Sequence, residues 1–320
     1  MPDTSNDTSP AEADHDDYDE FGLLGENAAE WSLSFPSPPE VTRGSVDVGA
    51  GQELSYIRWG PQDASPELVF LHGGGQNAHT WDTVALALGR PAVAVDLPGH
   101  GRSSRRADRD YGPWRNAEAL SLALPGLAPA AEAVVGMSLG GATLIRLAAT
   151  RPDLVRRAVI VDVTPQVVDP IRTMTAEQRG SVALISGPPT YDSFEAMAEA
   201  TVALSPHRAA SGVRRGVRHN AYERADGRWA WRYDLFRPPA DPDAYDFSSL
   251  WDDVSAITAP TMLVRGALSA YVRDEDEAEM ARRLPGLRAE SVEGAGHAVQ
   301  SDRPLDLVRL IDDMLATPLP

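Results

Sequence analysis

Short, uninterrupted hydrophobic runs recur along the chain and alternate with longer amphipathic segments. The runs span residues 68–71, 92–95, 133–135, 158–161 and 262–264, and the amphipathic segments span residues 80–88, 117–124, 141–150, 275–284 and 306–315. A short run without polar alternation is typical of a strand that is buried on both faces of a parallel sheet. The alternation of such strands with helices predicts the α/β class, with a mostly parallel central sheet flanked by helices.

Residues 1–40 precede this pattern and form a separate region. Residues 1–20 are rich in acidic side chains and contain few large hydrophobic groups. Because burial cannot offset the entropy lost on ordering such a segment, we expect a disordered acidic tail. Residues 21–39 form an approach segment that contains Pro and Ser. Two β-rich runs, 45–48 and 54–59, then flank Gly49-Ala50-Gly51, an arrangement that predicts a hairpin.

One long interval, residues 165–254, interrupts the alternation of strands and helices. It contains three segments of helical character, 175–184, 193–203 and 207–219, followed by a run rich in aromatic and Arg residues at 228–233. We interpret this interval as a largely helical cap, inserted over the carboxyl edge of the sheet, where open α/β sheets bind ligands. The core then comprises residues 41–164 and 255–320.

Composition narrows the chemistry that this chain can perform. The 320 residues carry a net charge of −18 and include no cysteine and no lysine. Disulfides, thiolate metal sites, cysteine nucleophiles and Schiff-base lysines are therefore excluded. The negative charge disfavours nucleic acids and anionic membranes as partners. No cluster of metal ligands is visible, so neither a metal nor an organic cofactor is expected.

The same sequence also bears on location and assembly. No hydrophobic run approaches the roughly 20 residues of a membrane-spanning helix, and the amino terminus lacks the pattern of a signal peptide. A cytoplasmic protein, either a monomer or a homodimer, with a small-molecule substrate is therefore expected.

The most informative motif is Gly136-Met137-Ser138-Leu139-Gly140, which follows a predicted strand and precedes a predicted helix. A sharp strand-to-helix turn of this kind exposes a serine hydroxyl at the edge of the sheet, and glycines on both sides avoid steric clashes. The amino terminus of the following helix offers N–H groups and a positive dipole end to a developing oxyanion. The motif predicts that Ser138 is a nucleophile.

A glycine-rich loop, Gly73-Gly74-Gly75-Gln76, follows the first strand of the parallel set. Its glycines allow the backbone to approach a substrate carbonyl, so the N–H groups of Gly74 and Leu139 are the expected oxyanion donors. The loop lacks the spacing of nucleotide-binding loops. The Arg and aromatic side chains of residues 214–233 either pack within the cap or line the pocket. The expected pocket-lining residues are Gly73, Gln76, Met137, Trp229 and Trp231.

Four motifs, in this order, resemble the α/β-hydrolase superfamily. They are His72-Gly73-Gly74, residues 96–104, the turn at Ser138, and residues 294–297, which read Gly-Ala-Gly-His. The resemblance spans residues 45–315 and implies an α/β-hydrolase fold in which His297 is the general base for Ser138. His72 is interpreted as a structural residue that hydrogen-bonds within its loop.

The acidic member of the site departs from the pattern that is common in this superfamily. Many members carry an aspartate shortly after the strand at 262–264, but here Ser269 stands at that position. Asp274 and Asp276 are candidates nearby, although both fall in the predicted start of a helix, where carboxylates are favoured in any case. Some members place the acid after the strand that follows the nucleophile helix, and Asp162 stands there. We favour Asp162.

These residues together favour a serine hydrolase that resembles esterases and lactonases. It would cleave a carboxylic ester or lactone through an acyl-enzyme on Ser138, with His297 as base and Asp162 as acid. Two alternatives keep the same residues but change the reaction: hydrolysis of a carbon–carbon bond, and cofactor-free perhydrolysis. A third alternative is a non-catalytic protein that retains the pocket for ligand binding.

Overall fold

The computed structural model describes residues 18–35, 39–234 and 247–319. Ten strands lie within these ranges: β1 Val41–Asp47, β2 Glu53–Trp59, β3 Leu68–Leu71, β4 Ala92–Val95, β5 Ala133–Met137, β6 Ala158–Val161, β7 Ala221–Glu223, β8 Trp229–Trp231, β9 Thr261–Gly266 and β10 Arg288–Val292. Eight of them form one sheet in the order β1-β2-β4-β3-β5-β6-β9-β10, while β7 pairs with β8 alone.

The sheet is parallel from β4 to β10 and antiparallel only at one end. Strand β2 pairs antiparallel with both β1 and β4, and the five pairings from β4 through β3, β5, β6 and β9 to β10 are parallel. Strands β3 to β6 are buried over most or all of their length, because helices cover both faces of the sheet. The predicted α/β class with a mostly parallel sheet is confirmed.

Twelve helices lie within the described ranges: α1 Leu24–Glu30, α2 Asp82–Leu88, α3 Pro113–Leu127, α4 Leu139–Thr150, α5 Val168–Thr173, α6 Ala176–Arg179, α7 Phe194–Ala203, α8 Ala210–Asn220, α9 Leu250–Ala256, α10 Asp274–Arg283, α11 Val299–Asp302 and α12 Pro304–Ala316. Short 3₁₀ turns occupy Ala78–Trp81, Pro152–Leu154 and Gly180–Ser186. None of the helices within the described residues is long and hydrophobic enough to cross a membrane.

Successive residues of each central strand face opposite layers of helices. Val69 and Leu71 of β3 pack into the cluster that includes side chains of α3, α4 and α9. Leu68 and Phe70 pack into the other cluster, with side chains of α2 and α12. This division follows from the two-residue period of a strand, and it explains why the buried strands read as uninterrupted hydrophobic runs.

The interval that interrupts the predicted alternation contains helices α5 to α8 and the small hairpin of β7 and β8. A hydrophobic cluster of its own includes Met197, Val217 and Trp231. The hairpin was not predicted, because its strands are only three residues long. The boundary predicted between residues 254 and 255 falls inside α9. Leu250 and Val254 of that helix are buried in the main core cluster, so α9 belongs with the core.

The amino-terminal region is only partly as predicted. Residues 1–17 of the predicted acidic tail lie outside the described residues. The prediction of disorder is wrong for residues 18–20, because Tyr18 hydrogen-bonds to His219 and Glu20 forms an ion pair with Arg43. The approach segment contains helix α1, which packs against α2.

Candidate active site

Ser138 lies in a sharp turn between β5 and α4. Its backbone has φ 51° and ψ −115°, a strained conformation for a residue other than glycine. The turn depends on the flanking glycines, because a Cβ atom on Gly136 would lie 2.4 Å from the carbonyl oxygen of Gly140, and one on Gly140 would lie 2.4 Å from that of Leu71. The strain is maintained by tight backbone packing, and it holds the serine at the carboxyl edge of the sheet.

The structure brings together three predicted residues that are far apart in the sequence. His297 Nε2 lies 3.1 Å from Ser138 Oγ, and His297 Nδ1 lies 2.7 Å from Asp162 Oδ2. Asp162 is fully buried, and 9% of the His297 side chain is exposed. This arrangement allows the imidazole to accept the serine proton while the buried carboxylate stabilises the resulting imidazolium.

Asp162 follows β6 directly and accepts several hydrogen bonds. Its backbone is left-handed, with φ 53°, and Oδ1 accepts a hydrogen bond from the backbone N–H of Gly266 at 3.0 Å. The hydroxyl of Ser269 donates to Oδ2, the oxygen that also faces His297. Ser269, which stands at the more common aspartate position, therefore hydrogen-bonds to the carboxylate of Asp162 that faces His297.

The other two acidic candidates lie elsewhere. Asp274 is 94% exposed and lies 3.0 Å from Arg265. Asp276 accepts hydrogen bonds from the guanidinium of Arg273 at 2.8 Å. Both residues belong to the first turn of α10, as their helix-start pattern indicated, and neither contacts His297.

Tyr271 is a neighbour of the site that sequence reasoning missed. Its ring stacks on the His297 imidazole, with a centroid distance of 3.5 Å and an interplanar angle of 13°. Its hydroxyl donates to the backbone oxygen of Arg179 at 3.2 Å, which connects the histidine to the inserted interval. Burial raises the pKa of Tyr271, so the hydroxyl stays protonated. Nothing in the local sequence marks this tyrosine, because the stack joins two separate loops.

The predicted oxyanion donors flank Ser138 on two sides. Leu139 begins α4, and Gly73 lies so close that a Cβ atom added to it would be 3.2 Å from Ser138 Cβ. The N–H of Gly73 is already bonded to Gln76 Oε1 at 3.0 Å. Within the part of the chain that the structure describes, the N–H groups of Gly74 and Leu139 have no hydrogen-bond acceptor. Both are therefore free to bind an oxyanion.

A cavity of about 400 Å³ opens beside these residues. Ser138 and His297 do not themselves line it. Its wall begins at Gly74 and includes Gln76 and Trp231 among the predicted lining residues. Side chains of α1, the inserted interval and α11 also line the cavity. The polar or charged ones include Asn27, Glu30, His207, Arg208, Arg215, Gln300 and Asp302.

Three of the predicted lining residues lie outside this wall. Gly73 is buried, and a Cβ atom added to it would lie 2.5 Å from the sulfur of Met137, so Met137 packs beneath the loop in the core. The Trp229 ring packs against Phe194 at an interplanar angle of 60°, and the Arg218 guanidinium lies 5.3 Å from its centroid. Trp229 and Trp231 lie two residues apart on β8 and therefore share one face of the hairpin, but only Trp231 lines the cavity.

His72 plays the structural part expected of it. Its Nδ1–H donates to the backbone oxygen of Gly73 at 2.8 Å, and its Nε2 accepts from the N–H of Leu97 at 2.9 Å. Complete burial lowers the pKa of His72 to about 3. The neutral imidazole therefore bridges two loops and takes no part in proton transfer.

One group of potential metal ligands exists within the described residues, and sequence reasoning did not find it. Atoms of His79, Asp82 and His219 lie within 4.8 Å of one another. His79 is already hydrogen-bonded to Asp82 at 2.9 Å and to Glu20 at 3.0 Å. These carboxylates raise the pKa of His79 to about 9, so a metal ion would have to displace a tightly held proton.

The chain is similar to known proteins over most of its length. A model of the Alpha/beta hydrolase family matches residues 68–310. The chain is 51% identical over 300 residues to the esterase Rv0045c of Mycobacterium tuberculosis, covering 93% of this chain and 96% of that protein. It is 31% identical over 271 residues to the sn-1-specific diacylglycerol lipase ABHD11 of Mus musculus, covering 82% and 85%. A solved structure of the M. tuberculosis esterase matches with a TM-score of 0.82 and 50% identity, covering 94% of this chain and 100% of that one.

Proposed function

The chain belongs to the alpha/beta hydrolase family and is a hydrolase that acts on ester bonds, and we propose that it cleaves a carboxylic ester or a lactone through an acyl-enzyme on Ser138. The observation that carries this proposal is the continuous contact from Asp162 through His297 to Ser138, with distances of 2.7 Å and 3.1 Å. A serine hydroxyl becomes a competent nucleophile near neutral pH when a base within hydrogen-bond reach takes its proton.

The proposed acylation step begins with nucleophilic attack by Ser138 and transfer of its proton. Ser138 Oγ attacks the carbonyl carbon while its proton moves to His297 Nε2, and the carbonyl oxygen becomes an oxyanion. The two unoccupied N–H groups of Gly74 and Leu139 stabilise this charge. The tetrahedral intermediate then collapses, the bond from carbon to the alcohol oxygen breaks, and the leaving alcohol takes the proton from His297.

Deacylation repeats the sequence with water. His297 takes a proton from a water molecule that attacks the acyl carbonyl, and then returns the proton to Ser138 Oγ as the acid is released. The charge of Asp162 stabilises the imidazolium in both steps.

The substrate would extend from Ser138 into the adjacent cavity. A volume of about 400 Å³ lies in the range of small-molecule sites. The wall combines hydrophobic side chains from the inserted interval with polar ones from the core. We propose that the interval from residue 165 onward acts as a cap, because it supplies one wall of this cavity.

The test is hydrolysis of short and medium p-nitrophenyl esters by the wild type and by Ser138→Ala. We expect turnover by the wild type and, in the variant, a loss in kcat of about 10⁶-fold, the scale for removal of a triad nucleophile. Ser121→Ala is the matched control, because that hydroxyl bonds only to its own helix backbone and should leave the rate unchanged.

Labelling with a fluorophosphonate separates the alternatives. A well-folded wild type that neither reacts with the label nor turns over any ester would overturn the proposal in favour of a ligand-binding protein. Labelling of Ser138 without ester turnover would instead point to carbon–carbon bond hydrolysis or perhydrolysis.

A further inference from the structure

Arg208 lies in the cavity wall with its hydrogen-bonding capacity unused. About a quarter of its side chain, 26%, is open, and its contact with Asp302 Oδ1 is 3.6 Å from Nε, longer than a hydrogen bond. The structure provides no acceptor for its guanidinium within residues 18–35, 39–234 and 247–319. A guanidinium carries five N–H donors, and leaving them unpaired in a largely enclosed site is costly. A molecule in the cavity that carries an anionic group would supply acceptors for these donors.

Two carboxylates lie near Arg208, and neither accepts a hydrogen bond from it. Asp302 Oδ2 accepts the backbone N–H of Gly296 at 2.8 Å, and its Oδ1, which has no hydrogen-bond partner among the described residues, forms only the 3.6 Å ion pair with Arg208. Glu30 is paired with Arg215. Burial lowers the pKa of Arg208 from its usual value, but a guanidinium remains charged at neutral pH. The cavity therefore contains a cation whose nearest carboxylate, Asp302, forms an ion pair with it but accepts no hydrogen bond from it.

Arg208 lines the same cavity as Gly74, the predicted oxyanion donor beside Ser138. A substrate whose scissile carbonyl lies at Gly74 can therefore contact Arg208 within one cavity. The lining also includes these hydrophobic residues, which can contact an alkyl chain: Val182, Leu184, Ile185, Val213, Val217 and Trp231. A molecule that combines an ester, a short alkyl chain and an anion matches this combination of surfaces.

We propose that Arg208 binds a free carboxylate of the substrate, so that the preferred substrates are monoesters of dicarboxylic acids. This inference rests on the proposed ester hydrolysis at Ser138. Guanidinium and carboxylate are matched in shape and form paired, charge-assisted hydrogen bonds. The pairing would supply the acceptors that Arg208 lacks and would set the distance between the scissile carbonyl and the anion.

The test compares methyl esters that differ only at the far end. The monomethyl esters of glutaric, adipic and pimelic acids carry a free carboxylate, and the methyl esters of the monocarboxylic acids of equal chain length do not. We expect the wild type to show a kcat/KM for at least one monoester about tenfold or more above its neutral counterpart. Most of the difference should lie in KM, because the contact is present in the ground state as well as in the transition state.

Substitution of the arginine assigns the preference. Arg208→Gln should bring the ratio of kcat/KM for the monoester to kcat/KM for its neutral counterpart close to one, because the amide carries no charge to pair with the substrate carboxylate. Arg214→Gln is the control, since Arg214 lies on α8 and is paired with Glu195, and it should keep the preference. The melting temperature of each variant reports whether it is folded.

Two results would overturn the inference and leave ester hydrolysis intact. One is a wild type that hydrolyses neutral esters at least as well as the monoesters. The other is an Arg208→Gln variant that loses activity equally on both kinds of ester, which would make Arg208 a structural partner of Asp302. Absence of Ser138-dependent hydrolysis of every ester would instead refute the proposed function itself.

Discussion

The sequence and the structure give different kinds of evidence for Asp162. Sequence reasoning favoured it because Ser269 stands where the common aspartate was expected and because Asp162 follows the strand after the nucleophile helix, where some members of the superfamily place the acid. The structure supplies a positive reason, since the Ser269 hydroxyl and the Gly266 N–H both donate to the carboxylate that faces His297. Two donors and complete burial orient the carboxylate toward the imidazole, and no such network surrounds Asp274.

Asp162→Asn therefore tests the acid directly. The amide would favour the wrong imidazole tautomer and remove the charge that stabilises the imidazolium, so kcat on p-nitrophenyl esters should fall by about 10⁴-fold, the scale known for the equivalent change in a serine protease. Asp274→Asn is the control and should retain wild-type kcat, because its side chain is 94% exposed. Equal activity of the two variants would contradict the assignment of Asp162.

Among the helices and strands, the strands that are buried on both faces were predicted most accurately. Strands β3 to β6 are buried hydrophobic runs that can be read locally. Strand β10 was missed because it lies at the edge of the sheet and only Val292 of its five residues is buried. The predicted boundary divided helix α9, since its seven residues carry no local sign of the partner that they pack against.

Several elements meet at the buried group around His79. This residue lies in the 3₁₀ turn Ala78–Trp81, stacks on His219 of α8 at a centroid distance of 3.9 Å, and bonds to Asp82 and to Glu20 of the amino-terminal segment. The carboxylates outweigh the opposing effect of burial and raise the pKa of His79 to about 9. The protonated imidazole thereby joins the amino-terminal segment to the core.

This charge predicts a pH dependence of stability. Because the folded pKa of His79 is raised above its usual value of 6.5 to about 9, its contribution is complete below pH 6.5 and is lost as the pH rises to 9. The free energy of unfolding, measured in urea, should therefore fall by about 3 kcal/mol over this interval. His79→Gln should remove most of this decrease, whereas the control His207→Gln, which alters an exposed side chain, should preserve it. Parallel wild-type and His79→Gln profiles would refute this.

At the scale of the whole molecule, the amino-terminal segment holds two regions together. Tyr18 bonds to His219 and Glu30 pairs with Arg215, both on α8, while Asn27 donates to Thr83 on α2 at 2.9 Å. The same segment supplies Asn27, Glu30 and Trp31 to the cavity wall. It therefore connects the core to the inserted interval at the place where substrate would bind.

Two deletions test this connection. Removal of residues 1–17 is the control, because it keeps Tyr18, Glu20 and α1, and the melting temperature and kcat/KM should fall less than in the longer deletion. Removal of residues 1–32 eliminates α1 and its ion pairs and opens the cavity, so the melting temperature should fall by about 5–10 °C and kcat/KM should fall with it. A 1–32 deletion that keeps wild-type stability would show that the segment contributes nothing to the fold. The expected monomer or homodimer and the cytoplasmic location remain predictions at this scale.

The sequence by itself determined the α/β class, the buried strands and the candidates Ser138, His297 and Asp162. Each of these depends on local features: hydrophobic period, glycine placement and the residue types that follow a strand. Only the tertiary structure decided which residues meet. The stack of Tyr271 on His297, the pairing of Ser269 with Asp162, the His79 group and the cavity containing Arg208 each join separate segments of the chain. Such contacts arise because packing the helices and the inserted interval against one sheet brings distant residues together, and no periodicity within a single segment records them.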